Sequence, residues 1–286
     1  MDIQQIALNI YVSGAYPGTN VGLVLTDEGP ISIDAPLLPE EIVAWKKTIR
    51  ELADKPLRYT ILTDHRPERA LGATSLGAPV IGGRGTSAIL HDEDSNYGEE
   101  EIKAWADDYP DAENWLKERA LPRPQLNVAG RITLHGSPEV VVESIFGPGP
   151  GSIWVRLAHA RTLFVGDIVV DTHPFLADAP NTREWLRTLV HIRRSYFPFD
   201  VIVPGRGAVT DKEATHPVSD YIQLARRRMR SFHIKGKSVD DLEEALPEFL
   251  ALFPVQEGLE DLIDARVRHG LAQVLAELQP DEVNED

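Results

Sequence analysis

The sequence predicts an α/β chain folded as a four-layer αββα sandwich with additional C-terminal helices, and three observations carry that expectation. Short strand-like runs give way to a single amphipathic helix and then another strand, twice over, which suits two facing sheets with helices outside. A length of 286 residues, 42% apolar and 26% charged, is that of an ordinary globular chain able to bury one large core or two modest ones. From about Pro217 the pattern becomes helix alone, so residues 1–215 read as the sandwich and 216–286 as a C-terminal helical extension.

The elements follow in order. Residues 10–12 are a first strand, and 21–25 and 31–33 flank the turn Asp27-Glu28-Gly29-Pro30 as a hairpin. Pro39 followed by Glu40 and Glu41 suits a helix start, because proline needs no donor there and carboxylates favour the positive end. Ile42, Val43, Trp45, Ile49 and Leu52 then recur at helical spacing. Residues 59–62 read as a buried strand, 67–75 as the helix after it, and 79–81 as a strand. The stretch 82–98, rich in Gly, Ser, Asp and Asn, reads as a long loop carrying His91, either covering a site or merely connecting. Acidic helical stretches follow at 100–106 and 112–120. Leu121-Pro122-Arg123-Pro124 is the expected boundary between the halves, since two prolines in four residues break any element.

After that boundary come strand-like runs at 131–135, 140–145, 152–158 and 162–170, a helix at 182–194 with Trp185, Leu186, Leu189 and Ile192 on one side, and a strand at 201–203. The tail holds one helix marked by Tyr221, Leu224, Met229 and Phe232, a second at 242–252 and a third at 259–278; the acidic residues 280–286 are expected to be loosely held. Leu242, Leu246, Phe249, Leu250 and Leu252, then Leu259, Leu262, Ile263, Val267 and Leu271, need an apolar surface to face. Either they cover their own chain or they form a twofold homo-oligomer.

Charge and composition exclude several classes. A net charge of −16 disfavours nonspecific binding to nucleic acid or an anionic membrane. The basic run Arg226-Arg227-Arg228-Met229-Arg230 reads as a solvated face pairing with acids of the tail. With no cysteine there is no disulfide, thiolate nucleophile or cysteine metal site. No apolar run is long enough to span a membrane, and the first residues lack the pattern of a signal peptide, so the cytoplasm is the expected location.

Five short motifs then stand in a telling order. Asn20-Val21-Gly22-Leu23-Val24-Leu25 leads to Ile33-Asp34; Thr63-Asp64-His65-Arg66-Pro67-Glu68-Arg69-Ala70-Leu71-Gly72 follows the strand at 59–62; Phe146-Gly147-Pro148-Gly149-Pro150-Gly151-Ser152 makes a turn; Leu163-Phe164-Val165-Gly166-Asp167 ends a strand; Val203-Pro204-Gly205-Arg206-Gly207 closes the series, after the helix start Thr182-Arg183-Glu184-Trp185-Leu186. Across residues 9 to 210 this resembles the metallo-beta-lactamase superfamily, and within it the glyoxalase II-like hydrolases. The resemblance implies the αββα sandwich and a dinuclear metal site whose ligand positions fall on Asp64, Arg66, Glu68, Arg69, Pro148, Asp167 and Arg206. Arginines replace three of the family's histidines and proline a fourth, so this chain resembles a divergent member lacking the metal-binding histidines.

The chemistry of those substitutions argues against metal. Zinc needs deprotonated nitrogen and oxygen ligands, whereas guanidinium has donors only and keeps its charge. Three carboxylates crowded together need counter-charge, and three arginines in the same cleft supply it, so an ion-pair network is expected in place of a cofactor or metal. The reading leans towards a non-catalytic protein with a binding or assembly role. The alternative is a hydrolase of an ester, thioester or phosphoester through a rebuilt site, and a small anionic ligand in the cleft is a further possibility. The catalytic candidates are His173 with Asp171 or Asp167 as orienting partner, Asp167 itself, and His65, which falls between ligand positions and is expected to point away from them. Gly82-Gly83-Arg84-Gly85 and the glycines of 147–151 do not meet a phosphate-loop pattern and read as turns, and no Gly-x-Ser-x-Gly elbow exists.

Overall fold

A computed structural model describes residues 3–91, 99–118, 121–255 and 257–278. Seven strands form the first sheet in chain order: β1 (Gln4–Ala7), β2 (Ile10–Tyr16), β3 (Thr19–Val24), β4 (Ile31–Ile33), β5 (Tyr59–Ile61), β6 (Val80–Gly83) and β7 (Leu126–Val128). It is antiparallel from β1 to β4 and parallel from β4 to β7. The second sheet runs β12-β11-β10-β9-β8, from β8 (Arg131–Leu134), β9 (Val140–Ser144), β10 (Ile153–Leu157), β11 (Thr162–Gly166) and β12 (Val201–Pro204). Only β11 and β12 pair in parallel there.

The sheets face each other across an apolar layer to which Ile10, Ile33, Ile61 and Ile81 contribute from one side and Val142, Ile153, Val155, Phe164 and Val203 from the other. Outside the first sheet lies α1 (Pro39–Leu52), with Ile42, Trp45 and Ile49 packed on Val21, Leu23 and Leu62. Outside the second lie α7 (Thr182–Arg193), α8 (Thr215–Ile234), α9 (Leu246–Leu250) and α10 (Glu260–Leu278), sharing one core with Trp154, Leu163 and Val165 of the sheet. The architecture is thus the expected αββα sandwich with C-terminal helices.

Several local expectations are corrected. The predicted helix at 67–75 is two pieces, α2 (Pro67–Ala70) and α3 (Ala73–Leu76), joined at Gly72, where a Cβ would collide with the Pro36 carbonyl. The predicted loop at 82–98 begins instead with the end of β6 and then α4 (Arg84–His91), whose Thr86, Ser87 and Leu90 are buried; residues 92–98 lie outside the described set. The acidic helices are α5 (Glu99–Asp108) and α6 (Glu113–Glu118). The proline pair does not separate the halves, because β7 beyond it still pairs with β6; the crossing comes at Ala129 and Gly130. The strand predicted to Val170 stops at Gly166, where a φ of +55° turns the chain.

Leu242, Leu246, Phe249, Val267 and Leu271, which raised the question of self-association, are buried within their own chain. What these helices and their connections leave exposed is Ile234, Val239 and Leu252. The acidic residues 280–286 lie outside the described residues. No described helix is long and apolar enough to cross a membrane.

Candidate functional site

The motif residues meet where strand ends of both sheets converge. At the end of β4, Asp34 adopts a φ of +59°, a conformation more tolerable for aspartate than for most side chains. Its carboxylate accepts from the Thr63 N–H and from the Thr63 hydroxyl, both at 2.8 Å, and so sets the loop after β5. The Thr63 carbonyl in turn accepts from Ile153 N at 2.9 Å, tying that loop to the second sheet. Asn20 stitches the other side. Its amide donates to the carbonyls of Pro204 (2.9 Å) and Gly207 (2.8 Å), and its backbone N–H donates to the Gly205 carbonyl at 2.8 Å. A Cβ at Gly205 would collide with the Asp167 carboxylate, so only glycine lets the Arg206 turn pass so close.

Arg69 is the centre of the cluster, fully buried on α2. Its Nη1 donates to Asp64 at 3.0 Å and its Nη2 to Asp167 at 2.7 Å, with Glu68 4.0 Å from Nη2. Arg206 donates through Nε to the other Asp167 oxygen at 3.2 Å and through Nη2 to Glu68. Arg66 donates to Asp178 at 2.9 Å and lies 3.6 Å from Asp167. Three guanidiniums therefore serve Asp64, Glu68, Asp167 and Asp178. Burial alone would push the Asp167 carboxyl up, but Arg206, Arg69 and Arg66 outweigh it and hold it well below the usual carboxylate range. Glu68 is held low by the same three arginines against the same burial. Asp34, although Arg69 favours its charged form, is pushed up to about 7 because burial dominates and Asp64 adds repulsion.

Phe175 roofs the cluster. The guanidinium carbon of Arg66 lies 3.7 Å from its ring centroid, that of Arg206 4.8 Å, and that of Arg266, from α10, 4.6 Å. The loop carrying Phe175 is fastened to the C-terminal helices. Gly270 lies so close to Leu176 that a Cβ there would press on it, Gln273 donates to the Ala179 carbonyl at 3.5 Å, and Glu277 accepts from the Thr182 N–H at 3.0 Å and its hydroxyl at 2.5 Å. The helical extension thus holds the loop of Phe175 in place over the cluster.

Each sequence candidate has a definite position. Asp64, Arg66, Glu68, Arg69, Asp167 and Arg206 form one network, and Pro148 is buried in the neighbouring turn between β9 and β10 with no side-chain donor or acceptor to offer. His173 is not oriented by Asp171 or Asp167. Its Nε2 faces the Phe249 carbonyl at 3.2 Å and its ring packs on Tyr221 and Phe253, which makes it part of the joint with the C-terminal helices; burial lowers its basicity. His65 is buried against Gly149, 3.9 Å from Asp178, and burial likewise lowers its basicity. His91 stands at the end of α4, with Nδ1 near the Ser87 hydroxyl (3.0 Å) and carbonyl (2.7 Å).

Sequence reasoning missed Phe175 and Asp178, which no motif includes, and the linking role of Asn20. It also missed why two glycine-rich pieces exist. Gly83 and Gly85 lie against the backbone of Gly151, and Thr86 donates to the Gly151 carbonyl at 3.1 Å, so these glycines permit a close approach between the two halves. Two isolated glycine clusters in separate halves were the only signal available.

A dinuclear metal site does not fit these residues. The carboxylates of Asp64 and Asp167 are already bridged by one guanidinium, the neighbouring Arg66 and Arg206 are donor-only as well, and Pro148 has nothing to coordinate with. Among the described residues no group of three or more His, Asp or Glu side chains is placed to hold an ion.

No protein-family model matches this sequence, and no curated protein matches it significantly. Solved structures do. A metallo-beta-lactamase from Pontibacter korlensis superposes with a TM-score of 0.57 at 20% identity, over 78% of this chain and 98% of that one. A metallo-beta-lactamase family protein from Thermus thermophilus gives 0.65 at 17% identity, over 96% and 93%. A double mutant of the sec-alkyl sulfatase PisA1 gives 0.71 at 12% identity, over 96% of this chain and 50% of that one. A coverage of 96% necessarily takes in most of the helical extension.

Proposed function

We propose that this chain, whose fold is that of the metallo-beta-lactamases, is not a metal-dependent hydrolase but a non-catalytic binding or assembly protein, its metal-site positions converted into an ion-pair network. One observation carries the reading: the buried Arg69 guanidinium donates to both Asp64 and Asp167, the carboxylates that a metal would have to share. To load a cation there, Arg69 would have to be expelled from a site in which Asp167, Asp64, Asp34 and Glu68 raise its pKa well above the ordinary value despite burial.

Elemental analysis of the purified protein, with melting curves in chelator and in added zinc, tests this. Substoichiometric zinc and an unmoved melting temperature are expected, because a ligand bound only by the native state would shift it by mass action. Stoichiometric zinc, or a fall of several degrees on chelation, overturns the proposal. Turnover of simple ester, thioester or phosphoester substrates that Asp167→Asn abolishes in a folded protein would establish the hydrolase alternative. A small anion entering the cleft would have to compete with Glu68 for Arg206, so its binding should be weak and salt-sensitive. The cytoplasm is the location we assign to such a protein. A twofold dimer through the C-terminal helices would have to use the rim of Ile234, Val239 and Leu252, and sedimentation of the full chain decides it.

A further inference from the structure

The loop between β11 and α7 carries the roof of the cluster and is held on both sides of Phe175. After it, Leu176 packs in the core shared with the C-terminal helices, and Thr182 binds Glu277 of α10. Before it, separated only by the rigid Pro174, stands His173. His173 is 5% exposed. Its ring lies edge-on to Tyr221 of α8 at 6.2 Å and against Phe253 at 5.4 Å, and its Nε2 meets the Phe249 carbonyl of α9 at 3.2 Å.

A carbonyl only accepts, so Nε2 carries the proton of a neutral ring and Nδ1 is left as an acceptor. Nδ1 is buried and meets no donor among the described residues. A second proton would put both a charge and an unmatched N–H into that apolar space. Burial therefore lowers the basicity of His173, against the weaker pull of the Phe249 and Leu250 carbonyls. Among the described residues no charged group stands close enough to offset it. Asp171, on the same loop, lies against Gly207, and Asp220 of α8 is exposed. Arg228 of α8 and Glu248 of α9 pair with each other, and Arg266 of α10 lies over Phe175. The Tyr221 phenol, which touches the ring, is pushed up by burial and stays neutral.

We propose that His173 is an acid-sensitive latch: once protonated it leaves its joint with α8 and α9, and the loop of Phe175 lifts from the arginine cluster. The latch rests on the reading of the cluster as a binding site, whose guanidiniums the lifted loop would uncover. A ring kept neutral in the closed form takes its proton at about pH 6.5 once released, so its hold is full above that pH and is lost as pH falls below it. Glu277, the other titratable anchor of the loop, is pushed up by burial but held low by Thr182 and Arg226, and stays charged through that window.

Amide hydrogen exchange in the full chain, with neither zinc nor ligand added, tests the latch separately from the metal analysis. Corrected for the intrinsic effect of pH, exchange across residues 171–181 should rise on the order of tenfold relative to β10 between about pH 7.5 and about pH 5. His173→Gln retains an N–H for the Phe249 carbonyl and cannot take the proton, so it should abolish that rise. An equal rise in His173→Gln would assign the effect to another group, such as the buried His65, and overturns the proposal, as does a flat profile in the parent protein. A second measurement needs no variant: followed by NMR in the folded protein, the His173 imidazole should titrate below about 6.5. A value at or above that also overturns the proposal.

Discussion

Two buried regions of the molecule, the apolar layer between the sheets and the charged cluster at their strand ends, share little beyond the burial of their central residues. In one, Ile33, Ile61, Ile153, Val155 and Phe164 meet without a polar group among them. In the other, Arg69 and Asp167 are just as inaccessible but carry full charges, joined to Asp64, Glu68, Arg66 and Arg206. Apolar contact is non-directional and scales with area, so the first part tolerates any set of side chains of about the right volume. The second is favourable only when complete, because each member left without its partner is a charge in a medium that cannot solvate it. Equal burial therefore does not mean equal tolerance: a network of this kind makes each of its residues depend on the others.

That comparison can be broken most directly at Arg69. Arg69→Ala should cost roughly 3–5 kcal/mol at neutral pH by stranding Asp64 and Asp167. Ile153→Ala, in the apolar part, should cost a similar roughly 2–5 kcal/mol through lost burial and a cavity. Denaturant titrations at two pH values separate the causes. The Arg69→Ala deficit should shrink as pH falls and the stranded carboxylates protonate, while the Ile153→Ala deficit should stay constant. A deficit below about 1 kcal/mol at Arg69, the range of solvent-exposed pairs, would mean that the cluster is wet.

A smaller effect sharpens the same contrast within the polar part, because its acids shift in opposite directions. Asp167 and Glu68 are held below their unfolded values, so their contribution is present above about pH 4 and is lost as pH falls through their folded pKa values. Asp34 is raised to about 7, so its contribution is full below about pH 4 and is lost as pH rises towards 7. Asp34→Asn should therefore gain on the parent protein between pH 4 and pH 8 in melting temperature. A difference that stays flat across that range would show that Asp34 titrates normally.

The smallest effect is expected on the surface. Arg161 and Asp200 pair at 2.5 Å with both side chains more than half exposed. Arg161→Ala should leave the denaturation midpoint unchanged within error, since water solvates either partner alone. A clear loss there would show that geometry, rather than burial, sets the worth of ion pairs in this protein.

Much of the site was legible in the amino-acid order, because its residues lie in short motifs at strand ends. Thr63 to Gly72, Gly166-Asp167 and Pro204-Gly205-Arg206 each follow a recognisable apolar run, and charge balance alone required arginines to face those acids. Other features gave no local signal. Strand β1, with its two exposed glutamines, has no alternating pattern, and β7 is three residues long, so both exist only because a neighbouring strand offers its edge. Helix α4 was hidden by Gly83 and Gly85 around its start, which serve contact with the opposite half rather than a turn. His173 looked like a base near a carboxylate because the two are six positions apart, yet its ring belongs to the packing of the C-terminal helices.

The sequence by itself determined the order of strands and helices, the sandwich they build, and the presence of arginines and a proline in the same short motifs as the acids of the site, because apolar periodicity and side-chain chemistry are local properties. Only the tertiary structure decided which arginine meets which acid, that Phe175 covers three guanidiniums, and that the extension fastens the loop of Phe175 through Gly270, Gln273 and Glu277. Those contacts join residues up to 138 positions apart, and what selects among the possible partners is burial, which raises the cost of every unmatched charge and exists only once the chain has closed around it.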